Sequence, residues 1–338
     1  MPQPFELVLP RPNTSTPSTP KPPIRAPTES SFTAVFGKLL PPAQYIHLPH
    51  GAAAYYSFPP RSPSAPSEQP SSIPAHPSRV LLLHGVQTPA LGLLPLTRTL
   101  QSAFPSTHFV LLELWGHGLS DTPQAPHVPS LFHGLVDALL AQLDWHAAHL
   151  IGYSFGGALT ASYAATRPEK VLSFTLVAPA GLIQSATTFS ADEMVHLRGG
   201  GDEVAAGKWV VGWLEGEGGL VVPEGWEDRV ASGEVVPEAL REWQMREHQG
   251  HAASVVGIFR DGEVMDGDEV FGKAARTQIP SLVVLGELDS VCSEEQLRSL
   301  EFADVFVVKG AGHGVIRDKE VEVEQVKGYI ERFWKGIV

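Results

Sequence analysis

Residues 152–156 read GYSFG and place Ser154 two positions from a glycine on each side. An apolar run precedes this segment, and a helical pattern that ends at Pro168 follows it, so a sharp strand-to-helix turn is predicted at the serine. Such a turn holds a hydroxyl clear of the sheet and places the next backbone N–H, that of Phe155, at a helix N-terminus, where negative charge is stabilised. A structural glycine turn fits the five residues alone equally well, but the flanking elements favour a nucleophile.

Two further residues supply the partners that a serine nucleophile needs. A serine hydroxyl is a poor nucleophile at neutral pH, so it requires a base, and the base requires an acid that orients it. Asp289 lies just beyond one predicted strand in LVVLGELDSV, and His313 lies just beyond another in VVKGAGHGVI. Because side chains at these strand ends gather on one edge of an open α/β sheet, Ser154, Asp289 and His313 form a candidate catalytic triad.

Other residues offer alternative roles at the same edge. Glu287 is the alternative acid if its strand ends earlier, whereas the segment APAGL after the strand near Ala178 offers no carboxylate. His84 ends a predicted buried strand and is expected to be structural. His117 lies in a glycine-rich loop and is also expected to be structural, with pocket lining as the alternative.

Four histidines have the i, i+3 spacing that could place two metal ligands on one helix face: His146 with His149, and His248 with His251. Neither pair has an evident third ligand, so both are predicted to be helix-surface histidines. Cys292, the single cysteine, excludes an intramolecular disulfide and is expected to be inert. We expect no metal or organic cofactor.

Alternating apolar strands and helices predict a parallel sheet that is covered on both faces. Residues 31–181 form the first part of this predicted core, and residues 278–338 form the second, with a helix whose Ser293 and Gln296 fit a capping box. Between them, residues 182–277 are rich in Gly and Glu, show helical fragments and are predicted to form a cap. Four tryptophans of this cap are expected mainly to pack its core, with a pocket wall as the alternative: Trp209, Trp213, Trp226 and Trp243.

The remaining segments and the composition limit the possible partners. Residues 1–30 are rich in Pro, Ser and Thr and are predicted to be a flexible arm, and the Pro-rich segment 59–78 is predicted to be an exposed loop within the core. A formal net charge of −13 opposes nucleic-acid binding and favours a neutral or modestly polar small-molecule substrate. We also expect a cytoplasmic location without a membrane span. The sequence leaves the oligomeric state open.

At these motifs the chain resembles the α/β-hydrolase fold superfamily over roughly residues 43–336. Besides the GYSFG elbow, the segment LLLHGVQ looks like the strand-then-His-Gly oxyanion segment of that family. ELWGHGLSD is similar to its D-x-x-G-x-G-x-S loop, with Glu113 where Asp is usual, and GELD and GAGHG occupy the acid and base positions. The resemblance implies a mostly parallel, eight-stranded type of sheet with helices on both faces and an inserted, mainly helical cap.

The resemblance also implies a mechanism. His313 would take the Ser154 proton while Asp289 fixes the imidazole, and the backbone N–H groups of Val86 and Phe155 would form the oxyanion hole. The substrate would be an ester, lactone or thioester of a small to medium apolar molecule. Hydrolysis of a carbon–carbon bond in a diketone by the same triad, or a non-catalytic ligand receptor, are the alternatives. Epoxide hydrolysis and dehalogenation are disfavoured because they use an aspartate at the elbow.

Overall fold

The computed structural model describes residues 5–12, 21–61 and 77–337. Its centre is one eight-stranded sheet in which the strands that the apolar runs predict all form. The strands are β1 (Gln44–Leu48), β2 (Gly51–Phe58), β3 (Arg79–Leu83), β4 (His108–Leu112), β5 (Ala148–Tyr153), β6 (Val171–Val177), β7 (Ser281–Gly286) and β8 (Val305–Val308).

The order across the sheet is β1-β2-β4-β3-β5-β6-β7-β8. The hairpin β1–β2 is antiparallel and β2 also pairs antiparallel with β4, whereas the other neighbours are parallel. Since the six parallel strands share one direction, their carboxyl ends lie at one edge. The mostly parallel sheet that the sequence predicted is confirmed.

Helices cover both faces of the sheet and also fill the long insertion between β6 and β7. They are α1 (Glu29–Phe36), α2 (Leu94–Ala103), α3 (Pro129–Gln142), α4 (Phe155–Thr166), α5 (Ser185–Thr188), α6 (Ala191–Arg198), α7 (Glu203–Glu215), α8 (Trp226–Ala231), α9 (Pro237–Glu247), α10 (His251–Asp261), α11 (Asp268–Ala275), α12 (Glu294–Ser299) and α13 (Glu320–Ile337). At the N-terminus of α12, Ser293 and Gln296 form the capping box that the sequence predicted.

Strand β3 shows why the parallel strands are apolar along their whole length. Leu81 and Leu83 belong to one buried cluster, with α3 and α4, while Val80 and Leu82 belong to the other, with α2 and α13. Successive strand residues point to opposite faces, so burial of both faces requires an apolar residue at every position. The core therefore consists of two apolar layers separated by the sheet.

The insertion consists of α5–α11, of which α6 and α10 pack on α7, while α11 packs on the core helix α4. Its tryptophans divide between two clusters. Trp209 and Trp213 contact Phe189, whereas Trp243 contacts Phe32 of α1 with ring centroids 5.1 Å apart. The insertion is thus tied to the sheet through α4 and to the N-terminal helix α1.

The described parts of residues 1–30 pack on the folded chain, which differs from the flexible arm that the sequence predicted. Arg11 donates two hydrogen bonds to the carboxylate of Asp261 in α10, Nε–Oδ2 at 3.0 Å and Nη2–Oδ1 at 2.6 Å. Ile24 exchanges backbone hydrogen bonds with Thr122, and α1 begins at residue 29. These contacts could not be predicted from the composition of the segment, because each of them depends on an individual residue. Residues 1–4, 13–20 and most of the Pro-rich loop, 62–76, lie outside the described residues.

Among the described residues, the helices are all too short or too polar to cross a membrane.

Candidate active site

Three side chains from three strand ends meet at the carboxyl edge of the sheet. Ser154 Oγ lies 3.0 Å from His313 Nε2, and His313 Nδ1 lies 2.9 Å from Asp289 Oδ2. Ser154 follows β5, Asp289 follows β7 and His313 follows β8. The structure therefore brings these three predicted residues into one hydrogen-bonded chain, which is called the Ser-His-Asp trio below.

The backbone at Ser154 is strained, with φ 53° and ψ −119°, in a region that residues with a Cβ rarely occupy. The neighbouring glycines permit this turn because a Cβ at Gly152 would overlap the Gly156 carbonyl, and one at Gly156 would overlap the Leu83 carbonyl. Strand β3, strand β5 and α4 consequently approach within backbone contact. Strain and close packing together hold the hydroxyl at the start of α4.

His313 is fixed from two sides. Tyr153 donates a hydrogen bond through its hydroxyl to the His313 carbonyl at 3.1 Å, and the two rings lie 5.3 Å apart between centroids. The Asp289 side chain is fully buried, and its Oδ1 accepts a hydrogen bond from the Val291 N–H at 3.0 Å. The imidazole thus lies between a held carboxylate and the serine hydroxyl.

Glu287, the alternative acid, is directed elsewhere. Its Oε2 accepts a hydrogen bond from the Gly310 N–H at 2.8 Å, in the turn after β8. Cys292 is buried beside Asp289, and burial together with the Asp289 charge raises the pKa of its thiol. A buried thiol with a raised pKa is a poor nucleophile.

Val86 and Phe155, the predicted oxyanion donors, flank the serine. Phe155 is the first residue of α4, so its N–H has no acceptor within the helix. Val86 lines the same cavity as Ser154. The residue after it, Gln87, has its N–H bonded to His117 Nε2 at 3.3 Å and its carbonyl bonded to Gln244 Nε2 at 2.7 Å.

His84 and His117 are buried and have structural partners. Glu113, which stands where the family pattern has Asp, lies with Oε1 3.2 Å from His84 Nε2 and accepts the Ala90 N–H at 2.8 Å. His84 Nε2 also accepts the Leu114 N–H at 2.9 Å. These contacts join the ends of β3 and β4 and support the loop that carries Val86.

The two histidine pairs do not lie on helix surfaces, so that prediction was wrong. His149 is in β5, with Nδ1 2.8 Å from Ser173 Oγ, and His146 lies in the preceding loop. His248 ends α9 and His251 begins α10, and both are buried against the loop 116–120. The i, i+3 spacing was misleading because one pair straddles a loop and a strand and the other a helix junction. Among the described residues, no group of three or more His, Cys, Asp or Glu side chains could hold a metal ion.

A cavity of about 470 Å³ opens over the Ser-His-Asp trio. Its lining includes Ser154, which is buried, and residues from the insertion, among them Trp213 and Phe259. The insertion therefore contributes side chains to the site. Of the four tryptophans named from the sequence, Trp213 is the one that lines this cavity within the described chain.

The sequence reasoning missed Gln244, Arg241 and Arg317. Gln244 holds the Gln87 carbonyl, and both arginines line the cavity. The sequence contains a weak indication for Arg317, which lies four residues after His313 in the same loop. It contains no indication for Arg241 and Gln244, because their distance from Ser154 along the sequence says nothing about their distance in space.

Comparisons with known proteins agree with the fold that the structure shows. A family model described as the alpha/beta hydrolase fold matches residues 79–202. The chain is 29% identical over 218 residues to the dihydrolipoyllysine-residue acetyltransferase component of the acetoin cleaving system from Pseudomonas putida, covering 64% of this chain and 54% of that protein. The chain therefore spans about half the length of that curated relative.

Two solved structures match most of the chain. The first is a membrane phospholipase A described as a bacterial virulence factor, with 20% identity, a TM-score of 0.61 and 90% coverage of both chains. The second is the enol-lactonase from Burkholderia xenovorans LB400, with 18% identity, a TM-score of 0.59 and coverage of 85% of this chain and 99% of the other. Likeness at these identities establishes the fold.

Proposed function

Because the chain belongs to the α/β-hydrolase fold superfamily, we propose that it is a serine hydrolase that forms an acyl-enzyme on Ser154. Its substrate is an ester, lactone or thioester of a small to medium, largely apolar molecule. The observation that carries the proposal is the unbroken hydrogen-bonded chain from Ser154 Oγ through the imidazole of His313 to the buried Asp289. The likeness to an enol-lactonase and a phospholipase supports the same class of reaction.

The proposed reaction begins when His313 Nε2 accepts the Ser154 proton as Oγ attacks the substrate carbonyl. The Asp289 carboxylate accepts a hydrogen bond from the His313 Nδ1–H and stabilises the imidazolium that forms. The Val86 and Phe155 N–H groups bind the developing oxyanion, each contributing roughly 3 to 4 kcal/mol to transition-state stabilisation. His313 then protonates the leaving group, and a water activated by the same imidazole hydrolyses the acyl-enzyme.

The test is covalent labelling with a fluorophosphonate probe together with hydrolysis of 4-nitrophenyl acyl esters. We expect the unchanged protein to label and to turn over, and Ser154→Ala to lose both, with kcat lower by about three orders of magnitude or more. Ser162→Ala is a matched control, since Ser162 is a buried serine of α4, the helix that begins directly after Ser154. If the unchanged protein neither labels nor cleaves an ester of any chain length, the hydrolase proposal fails and a ligand receptor is favoured.

A further inference from the structure

Two arginines line the same cavity as Ser154 without a use in the mechanism above. Arg241 comes from α9 in the insertion, and Arg317 comes from the loop that carries His313. Within the described part of the chain, Arg241 Nε and Arg317 Nε and Nη1 are buried with no hydrogen-bond partner. The Arg317 side chain is only 9% exposed. Buried cationic donors without an acceptor are costly, so a bound acceptor would stabilise this arrangement.

The carboxylates nearest to the two guanidinium groups do not satisfy them. Glu238 Oε1 lies 3.6 Å from Arg241 Nη2, and Asp318 Oδ1 lies 3.6 Å from Arg317 Nε. Both distances exceed the range of about 2.7–3.2 Å for an N–H···O hydrogen bond. Moreover, Glu238 and Asp318 line a neighbouring cavity of about 710 Å³, which Arg317 also borders.

The carboxylates that line the Ser154 cavity itself are Glu215 and Asp289. Asp289 is hydrogen-bonded to His313, so Glu215 is the acidic side chain that remains within this cavity to compete for the arginines. The pKa of the Arg241 guanidinium is lowered mainly by burial and, to a smaller extent, by the positive charge of Arg317. The two cations are therefore close enough to repel each other, and an anion between them would relieve that repulsion.

The ring of Tyr153 relates Arg317 to the Ser-His-Asp trio. The Arg317 Cζ lies 5.0 Å from the centroid of this ring, which also packs against the His313 imidazole. The Arg317 guanidinium and the His313 imidazole thus both contact the Tyr153 ring. A substrate with its carbonyl at Ser154 can therefore place an anionic group on Arg317.

The cavity also has an apolar part, lined by Trp213, Phe259, Val264 and Leu288, beside the uncharged polar side chains of Gln87, Thr88 and Ser290. A ligand that fits has an apolar body with one anionic end. Arginine binds carboxylates through paired N–H donors, which fix orientation as well as charge. This differs from the neutral or modestly polar ligand that the net charge favoured, because net charge does not describe the interior of one cavity.

We propose that Arg241 and Arg317 form a carboxylate-binding site for the substrate, so that the enzyme cleaves esters or thioesters of molecules that carry a second, free carboxylate. The inference rests on the proposed function. Ser154 Oγ bonds to the acyl carbon, the bond from that carbon to the leaving oxygen or sulfur breaks, and His313 returns its proton to the leaving group. The second carboxylate changes no bond and serves to position the acyl carbon.

The experiment compares esters of equal chain length with and without the second carboxylate. Monoethyl glutarate, adipate and pimelate are compared with ethyl pentanoate, hexanoate and heptanoate by ethanol release, and 4-acetoxybenzoate is compared with 4-methylphenyl acetate to place the carboxylate on the leaving-group side. We expect at least one anionic ester to exceed its neutral partner tenfold or more in kcat/KM. Arg317→Gln and Arg241→Gln should each lower that ratio at least tenfold, mainly through KM.

Three further variants sharpen the comparison. Arg317→Lys keeps the charge without the paired donors and should retain part of the preference. Glu215→Gln removes the acidic competitor and should raise the ratio. Arg246→Gln is the matched control, because Arg246 lies in α9 like Arg241 but is 55% exposed and pairs with Glu247.

The outcomes separate this inference from the proposed function. Cleavage of neutral and anionic esters at equal rates, with ratios that the arginine variants leave unchanged, overturns the carboxylate site alone. If no ester is cleaved, calorimetric titration of Ser154→Ala with adipate decides: binding that Arg317→Gln abolishes supports the site, and no binding overturns it. If a thermal melt shows that Arg317→Gln is unfolded, inhibition of the unchanged protein by hexanoate and by the uncharged hexanamide decides. Inhibition by hexanoate alone, lost in Arg241→Gln, supports the site, and equal inhibition by the two compounds overturns it.

Discussion

At the scale of single residues, two acidic side chains are candidates for the acid that orients His313. Asp289 and Glu287 lie two positions apart after β7, and both lie close to the turn that carries His313. Only the Asp289 carboxylate reaches the imidazole, while Glu287 binds the Gly310 N–H. The role of orienting acid therefore belongs to Asp289 in the proposed mechanism.

We expect Asp289→Asn to lower kcat on a 4-nitrophenyl ester by about 10³ to 10⁴-fold, because an amide stabilises the wrong imidazole tautomer and does not stabilise the imidazolium. Glu287→Gln, the matched control, should stay within about threefold, since an amide oxygen can still accept the Gly310 N–H. Both are measured as steady-state kinetics on variants with unchanged circular dichroism. A larger loss for Glu287→Gln than for Asp289→Asn would contradict the assignment.

At the scale of elements, the turn between β5 and α4 depends on glycines that have no room for a side chain. A Cβ at Gly156 would overlap the Leu83 carbonyl of β3, which cannot move without breaking the sheet. By contrast, a Cβ at Gly134 in α3 has no heavy atom within 4 Å. Two helical glycines in one protein thus differ in the space around them.

Urea unfolding should separate these two positions. Gly134→Ala should raise the free energy of unfolding by about 0.5 to 1 kcal/mol, because alanine is the better helix former. Gly156→Ala should lower it by about 2 kcal/mol or more and should also reduce ester hydrolysis, since α4 must move away from β3. Equal effects of the two changes would show that helix propensity, and not crowding, dominates at Gly156.

The strands and the trio could be predicted from the sequence because both follow from local patterns. A run such as VLLL in β3 is apolar at every position, since both faces are buried. Ser154 comes directly after β5, and Asp289 and His313 come shortly after the ends of β7 and β8. Arg241 and Gln244 could not be predicted, because their places depend on how α9 packs over the sheet. The burial of His248 and His251 was missed for the same reason.

At the scale of the whole molecule, the N-terminal residues pack on the insertion. Phe32 of α1 packs edge-on against Trp243 of α9, and Arg11 binds Asp261 at the end of α10. A Pro-rich composition predicts little apolar burial on average. It does not reveal single side chains that supply strong contacts, which is why this attachment was not foreseen.

Buried neutral histidines make the stability of the whole chain sensitive to acid. Burial lowers the pKa of His127 and His133 to about 4 and that of His251 to about 3, against about 6.5 for an exposed imidazole. Above pH 6.5 these groups are neutral in both the folded and the unfolded chain, so they do not make the free energy of unfolding depend on pH. Between pH 6.5 and the lowered values, the unfolded chain binds protons that the folded chain excludes, so stability falls as the pH falls.

Each such histidine should contribute up to about 1.4 kcal/mol per pH unit to this loss. We therefore expect the urea midpoint to fall steeply from pH 6.5 to pH 4.5. His127→Phe should reduce the number of protons taken up on unfolding by about one, and so make the pH dependence of the midpoint shallower. The reason is that the His127 ring packs edge-on against Phe132, and a phenyl group can keep this contact without titrating. His50→Gln, at an exposed position, should leave the slope unchanged. A midpoint that is constant from pH 7 to pH 4.5 would mean that these imidazoles bind protons without unfolding of the chain.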